Sequence, residues 1–177
     1  NGSGVHIESG AFYMNGGTIC GGYYESACNL QCSGENSRLY LTMDGGAISG
    51  NARRLFYGGP AVYLEGKTTF TLKNGLISDN YCNLSRTSGP TDNNGGAIFA
   101  TSKECEVKIE GGLITRNTAG SLDVASNYGG AIYSVNATIT IDGGEISDNT
   151  VYGNAGGGVS VSHSGTIVMN GGLITRN

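Results

Sequence analysis

EVKIEGGLITRN, residues Glu106–Asn117, decides the fold because the chain spells it again and again. It returns as TITIDGGEISDN at Thr138–Asn149 and TIVMNGGLITRN at Thr166–Asn177, and more loosely as TFTLKNGLISDN (Thr69–Asn80), YLTMDGGAISGN (Tyr40–Asn51) and AFYMNGGTICGG (Ala11–Gly22). In every copy the second, fourth and ninth residues are apolar, and the double glycine or its Asn-Gly equivalent sits between them. Outside the copies a second phrase recurs: GGPAVYL from Gly58, GGAIFA from Gly95, GGAIYS from Gly129, GGGVSV from Gly156, and a partial GSGVHI at the start. Internal repetition of this kind is the signature of a stacked architecture and takes precedence over residue-by-residue reading.

Each repeat is 28 to 37 residues long and holds three short segments that alternate apolar and polar side chains, as half-buried strands do. No segment has helical spacing. The spacing predicts an all-β parallel β-helix of about six turns, three short strands per turn, with successive turns about 4.8 Å apart. Residues 1–177 form one such domain, with an irregular first turn over 16–44. An antiparallel sandwich would show hairpin turns without phase-locked columns, so it fits less well.

The stacked core follows as columns. Phe12, Leu41, Phe70, Val107, Ile139 and Ile167 form one, and Met14, Met43, Leu72, Ile109, Ile141 and Met169 the next. Ile19, Ile48, Ile77, Ile114, Ile146 and Ile174 form a third, while Val62, Ile98, Ile132 and Val159 line the GGAI strands. The closing asparagines Asn51, Asn80, Asn117, Asn149 and Asn177 are expected at corners, where asparagine tolerates left-handed backbone and stacked amides can hydrogen-bond along the axis.

Composition limits the function classes. The chain has 32 glycines, 38% hydrophobic residues and a net charge of -4, with no basic block, so no nucleic-acid partner is expected. No apolar run approaches the roughly 20 residues of a membrane span and no signal-peptide pattern opens the chain, so no direct membrane insertion is expected. The glycine pairs are not a phosphate-binding loop, since no lysine follows them and no helix opens there. The five cysteines lack zinc-site spacing and are expected to be mostly buried thiols. Neither a metal nor a cofactor is expected.

The pairing of GGAI, at Gly95–Ile98 and Gly129–Ile132, with an Ile-x-x-Asn phrase, at Ile48–Asn51, Ile77–Asn80, Ile114–Asn117, Ile146–Asn149 and Ile174–Asn177, resembles the repeats of the chlamydial polymorphic outer membrane proteins. It is also similar to the GGxISxN repeats of large bacterial surface proteins. Ile stands where the chlamydial motif usually has Phe, and the first turn has Gly22 for the asparagine and CNLQC for GGAI. The resemblance implies a right-handed coil, an extracellular or cell-surface adhesin or stalk, and no catalytic residues. A chain that ends on a repeat is further expected to be a piece of a longer array, or a unit stacking end to end on adjacent repeats.

Binding would use outward positions. The column His6, Gln31, Tyr63, Phe99, Tyr133 and Ser160 places three aromatics in succession, either a platform for a sugar ring or partner side chain, or a self-stacking ladder. The connections after the asparagine corners vary most in length, so Tyr57, Tyr81, Arg86 and Tyr128 join Tyr63, Phe99 and Tyr133 as candidate ligand-binding residues for a host protein or glycan. The threonine pairs along the third strand resemble an ice-binding array, but Glu106 and Lys108 interrupt it. The column Gly50, Asp79, Arg116, Asp148 and Arg176 alternates charge, which favours a salt ladder over an acid-base pair. The alternative reading is a polysaccharide-acting enzyme, a lyase or hydrolase.

Overall fold

Alternating Val, Ile, Thr and Phe with a period of two makes each segment a strand with one apolar face, and the computed structural model pairs each such strand with its counterpart one repeat away. It describes residues 3–23, 25–33, 37–53, 58–82, 93–120, 127–153 and 155–177, and within them every regular element is a β-strand. All strand pairs are parallel. Val5–Ile7, Cys28–Gln31, Val62–Glu65, Ile98–Ala100, Ile132–Val135 and Val159–Ser162 lie side by side in that order as one six-stranded sheet. The repeated phrase builds a ten-stranded sheet. In it Leu39–Ser49 and Thr68–Ser78 each run on through the glycine, whereas later copies break there into pairs such as Glu106–Ile109 and Leu113–Thr115.

The core columns hold residue by residue. Phe12 pairs with Leu41, Leu41 with Phe70, Phe70 with Val107, Val107 with Ile139 and Ile139 with Ile167. The methionine and isoleucine columns keep the same register, as in Ile19 to Ile48 and Ile114 to Ile146. Phe70, Leu72, Ile77 and Ile109 are fully buried, each contributing about 1.5–3 kcal/mol on transfer from water. In the last repeat Ile167, Met169 and Ile174 face the open side of the stack and are exposed.

Three expectations need correction. Besides the three strands per repeat there is a fourth, two residues long, after the asparagine corner: Ala52–Arg53, Tyr81–Cys82, Thr118–Ala119 and Thr150–Val151 form a four-stranded sheet. Asn93–Asn94 and Asn127–Tyr128 pair as well. Two residues are too short to show alternation in a sequence. In the outward column of the six-stranded sheet Asn29, not Gln31, stands between His6 and Tyr63, because Cys28 and Leu30 take the inward places opposite Val62 and Leu64.

The third correction concerns the corner. The left-handed residue is the one before each asparagine: Gly50, Asp79, Arg116, Asp148 and Arg176 have φ between 51° and 63°. The asparagine is thereby turned inward, where Asn51, Asn80, Asn117 and Asn149 are at most 2% exposed. Each amide nitrogen donates to the next asparagine's Oδ1 at 2.8–2.9 Å, from Asn51 through to Asn177. The same Oδ1 accepts the preceding asparagine's backbone N–H at 3.0–3.1 Å. A further bond runs to a carbonyl of the core isoleucine strand, as from Asn117 to Ile77 O at 3.0 Å. The expected amide stacking is therefore present, and it satisfies the corner's buried polar groups.

Cys28, Cys82 and Cys105 are buried, Cys32 is half-buried and Cys20 exposed. Burial pushes the Cys28 and Cys82 thiols up to about 12.

Candidate functional site

On the outward face of the six-stranded sheet, strand alternation aims Tyr63, Phe99 and Tyr133 away from the core in one column. They are only 7%, 2% and 5% exposed, which favours the self-stacking ladder over the open platform. Tyr128 and Arg53, from two-residue strands outside this sheet, lie against them. Tyr128 stacks on Tyr133 with centroids 5.2 Å apart, and the Arg53 guanidinium lies 4.7 Å above the Tyr63 ring. Within the column Phe99 stacks on Tyr133 at 5.4 Å and meets Tyr63 edge-on at 5.9 Å. Tyr133 Oη also shares a 2.8 Å hydrogen bond with Ser162 Oγ. The aromatics form a self-stacking column, worth about 0.5–1.5 kcal/mol per ring pair beyond area burial.

Tyr128 therefore reaches the stripe, as a cover, and stays half-buried. Tyr81 is also half-buried, within the four-stranded sheet opposite Thr118 and Ala52. Tyr57 and Arg86 lie outside the described residues. Arg53, 6% exposed, donates from Nη1 to Ser26 Oγ at 2.6 Å and to Gly58 O at 2.9 Å. Desolvation lowers its pKa, and the carboxylate of Glu25, 3.8 Å away, opposes that shift.

The charge column resolves into two separate forks and not a continuous ladder. Arg116 donates through Nε and Nη2 to Asp79, both at 2.8 Å, and Arg176 grips Asp148 at 2.8 and 2.9 Å. Each arginine reaches back to the preceding repeat in a bidentate fork, and Arg176 Nη2 also donates to Glu145 Oε1 at 3.3 Å. The arginine hydrogen bonds hold Asp79 and Asp148 below the ordinary aspartate value of 3.8. A lowered folded pKa means that this stabilisation is complete above the unfolded value and is lost as pH falls through the lower folded values. Thermal melts should thus fall on acidification below about pH 4, and Asp79→Asn with Asp148→Asn should flatten that acid limb. High salt should blunt the difference at neutral pH, since both pairs are solvent-exposed.

Two of the aromatic side chains that face solvent, Tyr13 and Tyr40, lie on the ten-stranded sheet. Tyr13 is 65% and Tyr40 45% exposed. Their strands pair with Ala11 opposite Tyr40 and Tyr13 opposite Thr42. The alternation in AFYM and YLTM carried this signal, because Phe12, Met14, Leu41 and Met43 claim the inward places. Beyond Tyr40 the threonine array is broken twice. Arg38 caps Thr69, donating to its Oγ1 at 3.0 Å, and also bonds Glu104 O at 2.9 Å. Glu106 then pairs with Arg38 at 3.3 Å and with Lys108 at 3.1 Å.

Among the described residues, no group of three or more His, Cys, Asp or Glu side chains could hold a metal ion. No protein-family model, no curated protein and no solved structure matches the chain.

Proposed function

We propose that the chain is a right-handed parallel β-helix of about six turns that serves as a non-enzymatic segment of an extracellular or cell-surface adhesin or stalk. The observation that carries this reading is the shared phase: each core column and the asparagine ladder add one residue per repeat at the same position. Such a lattice resists bending and shear, because deforming one repeat strains the hydrogen bonds of the next. The ligand surface in this reading is the loop edge, carried on a rigid aromatic floor, with a host protein or glycan as partner. The surface placement comes from the repeat resemblance, and protease shaving of intact source cells tests it.

The enzymatic alternative requires a carboxylic acid with a raised pKa opposite a free carboxylate. Asp79 and Asp148 are each occupied by an arginine fork, and their pKa values are lowered. Incubation of the 177-residue chain with plant and mucin polysaccharides is expected to release neither reducing ends nor unsaturated sugars. Steady release of either product overturns the reading. A crystal structure that showed a left-handed or open arrangement would overturn the β-helix assignment.

A further inference from the structure

The observation left over is the pair of exposed tyrosines on the ten-stranded sheet, opposite in character to the buried stripe. Tyr13 and Tyr40 stand on adjacent parallel strands, offset by two residues. A strand separation of about 4.8 Å and a two-residue rise of about 6.6 Å put their Cα atoms about 8 Å apart. Between and beside them lie small or hydroxylated side chains on the same face: Ala11, Thr42 and Thr71. Thr42 and Thr71 are half-exposed. Nothing in the core requires tyrosine at either place, since Phe12, Met14, Leu41 and Met43 fill the inward positions.

We propose that Tyr13 and Tyr40 form a platform for a neutral oligosaccharide. The apolar C–H face of a pyranose stacks on an aromatic ring, and two rings on adjacent strands offer contacts to successive sugars of one chain. Threonine hydroxyls can both donate to and accept from sugar hydroxyls. Exposed Asp44, at the end of the Tyr40 to Met43 alternation, adds a carboxylate acceptor. Charge selects the neutral class. Asp44 stands nearest the rings and disfavours uronate or sulfate there. Of the cations further along the face, Arg38 and Lys108 are engaged by Glu106, and exposed Lys73 lies beyond Thr71, one strand further from Tyr13 than Asp44. A protein partner's hot spot would instead seek a desolvated pocket, whereas Tyr13 and Tyr40 are 65% and 45% exposed.

The inference rests on the chain being a binding scaffold and not an enzyme, and its test separates the two. The 177-residue chain is applied to an array of neutral gluco-, manno-, galacto- and N-acetylated hexasaccharides, alongside sulfated and uronate hexasaccharides, with affinities measured by calorimetry. At least one neutral hexasaccharide is expected to bind. Tyr13→Ala and Tyr40→Ala should each weaken it about tenfold and the double variant about 100-fold, while Tyr→Phe retains most of the affinity. In the unaltered chain, bound sugar should shield Tyr13 and Tyr40 from nitration and leave exposed Tyr23 and Tyr152 reactive. Binding of no neutral hexasaccharide, preference for the acidic ones, or unchanged affinity and nitration would each overturn the platform. Recovery of shortened sugar would overturn the non-enzymatic reading instead.

Discussion

Asn117→Ala is expected to cost about 4 kcal/mol of unfolding free energy, a large share of the 5–15 kcal/mol typical of a domain. The Asn117 amide is fully buried in the middle of the ladder. Its Nδ2 donates to Ile77 O, Thr115 O and Asn149 Oδ1 at 2.9–3.0 Å. Its Oδ1 accepts the Asn80 backbone N–H at 3.1 Å and the Asn80 side-chain amide at 2.9 Å. Alanine removes all of these at once, taking from the Asn80 backbone N–H its acceptor and leaving Thr115 O only a long bond from Asp79 N–H at 3.4 Å. Each orphaned group costs about 1–3 kcal/mol, and the sum is less than additive because neighbours relax. Asn117→Asp should be no better than alanine, since a carboxylate can accept from Asn80 but cannot donate to the carbonyls. Asn177→Ala, at the exposed end, should cost about 1 kcal/mol. Urea unfolding followed by circular dichroism measures this gradient. A loss below about 1 kcal/mol at Asn117 would show that the amides stack without supporting the corner.

Gly96→Ala is expected to abolish cooperative folding or to cost more than about 4 kcal/mol. The two glycines of GGAI are required for different reasons. Gly95 has a φ of 66°, a conformation that disfavours a side chain whatever the space. Gly96 is not restricted in that way, yet a Cβ there would overlap the carbonyl oxygen of Gly130 in the next repeat and lie 2.8 Å from the backbone of Thr118. Neither neighbour is a movable side-chain end, so repeats would have to separate, breaking bonds such as Gly96 N–H to Gly129 O at 2.9 Å. Gly16 is the control, with no positive φ and nothing within 4 Å of an added Cβ. Gly16→Ala should be neutral or stabilising by up to about 1 kcal/mol, through the unfolded chain. Equal effects at Gly16 and Gly96 would mean that repeat-to-repeat backbone approach is not what selects glycine.

The difference between these two glycines is invisible in the phrases that contain them, and the same is true of several outward positions. Tyr63, Phe99 and Tyr133 were legible as one column, because alternation fixes which side of the strand a residue takes. Their burial was not, because it depends on Tyr128 and Arg53, in two-residue strands that carry no alternation. Gln31 and Asn29 both point outward in CNLQC, so only the hydrogen-bonded register could decide which of them joins Tyr63. The asparagine was legible as a corner residue, but its left-handed backbone was not the requirement. The amide had to turn inward, and the positive φ passed to Gly50, Asp79, Arg116, Asp148 and Arg176.

The sequence by itself determined the longer strands, the registers of the core columns and the amide ladder, because a side-chain period of two, repeated in phase six times, leaves one way to bury every apolar column together. Only the tertiary structure decided which outward residues meet solvent. Exposure is set by what folds over a face, and that comes from contacts between distant, aperiodic segments. Arg53 and Tyr128 lie against the aromatics of one sheet, while Tyr13 and Tyr40 stand bare on the other.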